Sequence, residues 1–141
     1  MSHEVERWSP IKAWFYTLLH RSPKSNVAIV EYAGLRDHDR FLDVGCGPGA
    51  ALEGALKSGA EVAGVDPSAS MVERAAKRVP EADVRVGSAE DIPFDNDMFT
   101  VAVNVASFHH WADRAAGLRE IQRVLAPGGR LHIVEGKLGD G

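Results

Sequence analysis

An α/β domain built on a parallel sheet is the fold class that the sequence predicts, and three observations carry that expectation. Short apolar runs alternate with helix-length segments from about residue 40 to residue 135. Several runs are apolar at consecutive positions, Val101-Ala102-Val103 among them, as expected of strands buried on both faces. The first run passes directly into a glycine-rich turn, Gly45-Cys46-Gly47-Pro48-Gly49, ahead of a helix. Strands joined through helices cross over right-handed and lie parallel. The length, 141 residues, suits one core.

Near the N-terminus, Ser9 is placed to cap a helix with Pro10 at its first position. Ile11, Trp14, Phe15, Leu18 and Leu19 fall on one helical face, so a helix is expected over residues 9–20, ended by Arg21-Ser22-Pro23. It is expected to pack on the sheet, with a lid over the pocket as the second reading and contact with a lipid-like substrate or membrane surface as the third. A second short helix is expected from about Asn26 to Ala33, terminated by Gly34. Residues 1–36 therefore read as an N-terminal helical extension, and residues 37–141 as the main domain. Strands are expected at Arg40–Val44, Glu61–Val65, Asp83–Val86, Thr100–Asn104 and Arg130–Val134. Helices are expected near Ala50–Ser58, Ser68–Val79 and Arg114–Leu125. The stretch before Thr100 is too short and too rich in Pro and Asp for a long helix.

Composition narrows the function classes. A formal net charge of −4, with no basic run, argues against nucleic acid as an obligatory partner. The polar N-terminus lacks the layout of a secretory signal, and no segment approaches a spanning length, so no stable membrane association is expected. One cysteine, Cys46, forms no internal disulfide, which favours a reducing cytoplasm.

The glycine turn carries the chemistry. Glycines permit positive φ and let a ligand approach the backbone, while the helix start adds unpaired N–H groups. Gly45, Gly47 and Ala50 also fit the dinucleotide fingerprint, and Asp66 follows at about the twenty-residue spacing of a ribose-binding acid. Asp43 separates the two candidate ligands. A fixed carboxylate at the strand end repels a pyrophosphate and attracts a methionine ammonium or sulfonium, which favours S-adenosyl-L-methionine over NAD. Asp66 can accept from both ribose hydroxyls, and Ser68 can cap the next helix.

Five segments in order are similar to one family: LDVGCGPG at 42–49, VAGVDPSASMVERA at 62–75, VGSAEDIPF at 86–94, FTVAVNVASFHHW at 99–111 and EIQRVLAPGGRLHIVE at 120–135. The chain resembles class I S-adenosylmethionine-dependent methyltransferases, in the small-molecule "methyltransferase type 11" branch. The resemblance implies a Rossmann-like doubly wound parallel sheet of order 3-2-1-4-5, with the cofactor across the strand C-termini. It also implies methyl transfer to a small-molecule oxygen, nitrogen or carbon acceptor, leaving S-adenosyl-L-homocysteine. By position, Asp43, Gly45, Cys46 and Gly47 should line the methionine and sugar portion. Asp66 and Pro67 should meet the ribose and Met71 the adenine. Ala89 should offer its N–H to an adenine nitrogen, Glu90 or Asp91 should accept from the exocyclic amine, with Glu90 the better positional match, and Asn104 should hold the methionine end. Two positions depart from the pattern: Ser88 and Thr100 stand where Asp is frequent.

His109, His110 and Trp111 follow the fourth strand on the acceptor side, and His109 is the preferred candidate base. Metal binding is not expected, because adjacent histidines lack further ligands at metal spacing. Cys46 reads as a small turn residue without a base to activate it, and Asp95-Asn96-Asp97 reads as a surface turn. Family members continue beyond the fifth strand, so its edge is expected to need cover, with a homodimer or exchanged N-terminal helices as candidates. A cofactor-binding module without turnover and an NAD-dependent oxidoreductase remain the competing functions.

Overall fold

Consecutive apolar residues can be buried on both faces only inside a covered parallel sheet, and such a sheet organises the computed structural model. The structure describes residues 17–19, 30–105 and 108–135. Its strands are β1 (Thr17–Leu19), β2 (Arg40–Val44), β3 (Glu61–Asp66), β4 (Asp83–Val86), β5 (Phe99–Val105) and β6 (Leu125–Glu135). The helices are α1 (Ala50–Leu56), α2 (Ala69–Arg78) and α3 (Arg114–Val124). All pairings are parallel, in the order β1-β6-β5-β2-β3-β4. Without β1 this is the expected 3-2-1-4-5 order. The sheet reverses between β2 and β5, where such folds open a ligand crevice at the strand C-termini.

Alternation along β2 divides the core. Leu42 and Val44 join one apolar cluster with Ile121, Leu125 and Leu131, whereas Phe41 joins the opposite cluster with Leu52, Ala75 and Val103. Each helix starts on a recognisable signal. Gly49 caps α1 with φ 98°, Ser68 accepts from Met71 N–H at 3.3 Å to start α2, and Asp113 accepts from Ala116 N–H at 3.0 Å to start α3. No long helix forms between β4 and β5. That stretch is pinned to α3 by Arg123, whose guanidinium donates to the Ile92 and Phe94 carbonyls, to Asn96 and to Glu120, while Glu120 accepts from Ile92 N–H.

Three expectations are corrected or sharpened. Of the helix expected over 9–20, only 17–19 are described, and they form a strand paired with Ile133–Glu135. An open sheet edge offers unpaired N–H and C=O groups, and satisfying them outweighs a helical side-chain period. The β6 edge thus carries a segment of the same chain. Trp14, Phe15 and the lid role lie outside the described residues. The second expected helix is described at 30–33 and ends at Gly34, φ 62°. β6 begins at Leu125 opposite Phe99, and the register shifts before Arg130 meets Val101, so Pro127-Gly128-Gly129 interrupts the ladder. Gly128 has φ 87°, which a side chain would strain.

Thr100, one of the departures from the family pattern, has a local cause. Its hydroxyl donates to Asp39 at 2.8 Å and accepts from Arg40 N–H at 2.9 Å. An aspartate at 100 would face Asp39 as a like charge. Thr100→Asp is expected to lower the melting temperature, and the loss should shrink in acid as the carboxylates protonate.

Candidate functional site

The glycine turn is folded over the end of β3 by two backbone bonds: Gly45 and Cys46 both donate to the Val65 carbonyl, at 2.7 and 3.0 Å. Gly45, Gly47 and Gly49 all have positive φ (83°, 55° and 98°), so the turn needs residues without a Cβ. Asp66 ties this turn to the next one. One carboxylate oxygen accepts from Gly47 N–H and the other from Ser68 N–H, both at 2.9 Å. Each oxygen keeps a further lone pair for a ligand hydroxyl.

Asp43 lies on β2 beneath the turn, 2 % exposed, and its Oδ1 has no hydrogen-bond partner. Burial, and then the nearby Asp66 charge, push its carboxyl up to about 7. A buried acid with an unsatisfied oxygen beside a second acid is a place that favours positive charge. Cys46 is buried in the same layer, where it fills the space opposite Gly64: a Cβ on Gly64 would come within 2.9 Å of its sulfur. Burial, with Asp43 and Asp66, pushes the thiol upward, so it is not activated as a nucleophile.

The stability consequence of Asp43 has a definite sign. In the unfolded chain the carboxyl ionises near its ordinary 3.8, and in the folded chain only near 7. The folded state therefore holds the extra proton between those values, and stability falls as pH rises through that window. His132 opposes it. Buried on β6 with no partner on either ring nitrogen, it is lowered by burial and Arg130 to about 4, against an ordinary 6.5, so its contribution falls as pH falls through that range. Asp43→Asn isolates the first effect. Thermal melts should show the variant gaining stability over the wild type steadily from pH 4 to pH 7, and no such trend would refute the burial argument.

A cleft of about 330 Å³ opens at the C-terminal ends of β2, β3 and β4. Its lining comes from three segments: the ends of β2 and β3 (Val44, Gly45, Asp66 and Pro67), the turn after β4 (residues 87–90) and the segment before α3 (residues 110–112). Glu90 also reaches the start of α3: its Oε2 accepts from Asp113 N–H at 2.8 Å. That bond completes the α3 cap in trans, because a local capping box would place Glu or Gln at 116 and the chain has Ala there.

Residues 42–133 match the family model described as "Methyltransferase domain". The chain belongs to this methyltransferase family. It is 39% identical over 106 residues to the 27-O-demethylrifamycin SV methyltransferase of Amycolatopsis mediterranei, covering 70% of this chain and 39% of that protein. It is 38% identical over 105 residues to the ubiquinone/menaquinone biosynthesis C-methyltransferase UbiE of Geotalea daltonii, covering 68% of this chain and 45% of that one. In fold it resembles the YcgJ protein of Bacillus subtilis, with a TM-score of 0.75 and 31% identity over 81% of this chain and 51% of that chain. The chain thus spans about two fifths to half the length of these relatives. Among the described residues, no helix is long and apolar enough to cross a membrane.

Within this methyltransferase domain the expected site residues divide. Gly45, Asp66, Pro67, Ala89 and Glu90 line the cleft together. Asp43, Cys46, Gly47 and Met71 (on α2) are not among its lining residues. Asn104 is fully buried and donates from Nδ2 to the Val44 carbonyl at 2.6 Å, which holds β5 to β2 past the end of their ladder. The side chain of His109 lies outside the described residues, whereas His110 lines the cleft. Sequence reasoning missed that Trp111 lines the cleft and that its ring packs on Gly117. A glycine inside the α3 pattern, four residues after the Asp113 cap, was the available signal.

Proposed function

We propose that the chain binds S-adenosyl-L-methionine and that its domain serves methyl transfer to a small-molecule acceptor. The observation that carries the reading is Asp43, a buried carboxyl with an unpaired oxygen under the glycine turn. Such a group suits a cationic amino-acid end and disfavours a pyrophosphate, which separates this cofactor from NAD. The residues fit the group: Asp43 faces positive charge, Asp66 accepts from ribose hydroxyls, and Ala89 and Glu90 meet the base edge. When bound, the cofactor supplies a methyl already activated on a sulfonium. The protein's work is then alignment and exclusion of water, which can contribute much of the acceleration.

A base from the His109–His110 pair would accept the proton of a hydroxyl or amine acceptor. Alanine at either position should lower kcat by at least about tenfold if that histidine is the base. Loss below about threefold at both leaves alignment alone to act. The rifamycin and ubiquinone/menaquinone enzymes are named for O- and C-methylation, so relatives do not select the acceptor atom. Because the chain covers less than half of both, a cofactor-binding module that does not turn over by itself is the second reading. An intracellular location agrees with the single buried thiol.

Calorimetric titration with S-adenosyl-L-homocysteine and NAD tests the proposal. The homocysteine compound should bind and NAD should not. Its ammonium should favour ionised Asp43, so affinity should rise with pH up to about 7 and flatten in Asp43→Asn. Tight NAD binding without a response to the homocysteine compound would overturn the reading.

A further inference from the structure

We propose that His132 is an acid-sensitive latch, whose protonation releases the helical turn at residues 30–33 from the sheet while the rest of the domain stays folded. Side chains alternate along β6: Leu131 and Ile133 join one apolar cluster and Val134 the other, so Arg130, His132 and Val134 share a face. His132 is 6 % exposed, and neither ring nitrogen has a hydrogen-bond partner. A neutral imidazole carries one donor and one acceptor, and both stay unsatisfied for as long as the ring is covered.

The cover is thin. From the segment before β2, the Tyr32 ring meets the imidazole edge-on, with centroids 6.4 Å apart, and Tyr32 is itself 54 % exposed. Ala33 is buried in the same cluster as Val134, with Val30 and Leu35 packed against that cluster. Arg130 fastens the segment by donating to the Ala33 carbonyl. Within the sheet, the register partner of His132 on β5 is Val103, which is apolar. Among the described residues, Arg130 is therefore the charge set against His132, and the Tyr32 phenol is the other titratable group that meets it. A proton on the covered ring puts a second positive charge beside Arg130 with no acceptor for either N–H, whereas lifting the segment lets water solvate both.

The sign follows from the two states of the ring. Burial, and then Arg130, hold the covered imidazole at about 4 against an ordinary 6.5, so opening takes up one proton between those values. Release then becomes about tenfold more frequent for each pH unit of acidification in that window. Asp39 does not drive it. Burial alone would raise that carboxyl, but the Arg36 N–H and the Thr100 hydroxyl bring it below its ordinary 3.8, so it stays ionised throughout.

The test uses the 141-residue chain carrying Ala33→Cys, which sets a thiol beneath the segment, with the chain's own buried Cys46 as reference for the domain core. Both thiols are labelled with a pyridyl disulfide at pH 7.5 and pH 5, and each rate is divided by that of free cysteine at the same pH. The rate at position 33 should rise roughly thirtyfold in acid, and that of Cys46 by less than about threefold. Adding His132→Phe should hold the rise at position 33 below about threefold. An equal rise at both thiols, a rise that survives His132→Phe, or no rise at all overturns the proposal. If His132→Phe does not fold, the slope with His132 in place decides. One proton gives about a tenfold climb from pH 6 to pH 5, and a flat profile or a hundredfold climb overturns the assignment.

Discussion

Asp66→Ala is expected to weaken S-adenosyl-L-homocysteine binding by roughly ten- to a hundredfold, because the carboxylate that ties two turns together is also the proposed acceptor for the ribose hydroxyls. It fixes Gly47 N–H and Ser68 N–H, both at 2.9 Å, and so sets the separation of the two turns whose Gly45, Asp66 and Pro67 line the cleft. Its remaining lone pairs are then free for ribose hydroxyls. Losing a charge-assisted hydrogen-bonding site costs about 1.5–3 kcal/mol, which is the range stated. Asparagine is not a conservative replacement. Both protein partners are N–H donors, so an amide can satisfy one and must turn its own N–H₂ toward the other. Asp66→Asn should therefore bind nearly as poorly as Asp66→Ala in calorimetry. Affinity unchanged in both variants, with wild-type melting, would remove Asp66 from the ribose role.

Arg123→Ala should have the largest effect on stability. The guanidinium donates to the carbonyls of Ile92 (2.7 Å) and Phe94 (2.9 Å), to Asn96 (2.8 Å) and to Glu120 (2.8 and 3.0 Å). Alanine removes the donor to the Phe94 carbonyl, leaves the Ile92 carbonyl with the Phe94 N–H alone, and leaves Glu120 without its counter-ion. A loss of about 3 kcal/mol follows from the charged hydrogen bonds alone, which is about 10 °C in melting temperature for a domain of this size. The pH dependence has a sign. Arg123 holds the Glu120 carboxyl below its ordinary 4.5, so the pair contributes fully above that value and is lost as pH falls through the folded one. The gap between wild type and variant should therefore narrow in acid. Arg123→Lys should recover only part of the loss, because an ammonium has three donors and no planar fork. A variant that melts within about 2 °C of the wild type would show that the segment is held by its apolar residues, Ile92 and Phe94, instead.

The strands were readable because parallel strands buried on both faces leave consecutive apolar residues, as in Val101-Ala102-Val103, and little else does. The glycine turn, Asp66 and the Ser68 cap were readable because local backbone geometry imposes residue types on neighbouring positions. The family pattern extended the same logic to Ala89 and Glu90. The short β1 strand was not readable, since Thr17-Leu18-Leu19 also suits a helical face and its pairing depends on an edge more than a hundred residues away. The division of the site was equally hidden. Asp43 reads as a cofactor residue, yet only the stacked sheet and turn make it a buried acid with one oxygen unsatisfied.

By itself the sequence determined the order of strands and helices from Arg40 onward, the glycine turn and the acid that follows it, because those are consequences of backbone conformation and short-range periodicity. Only the tertiary structure decided which of the matching residues share a cleft. It set Trp111 against Gly117 and Glu90 beneath Asp113, and it turned Asn104 toward Val44. Those contacts join segments whose distances are set by packing of separate elements, and no local pattern encodes a distance that arises between them.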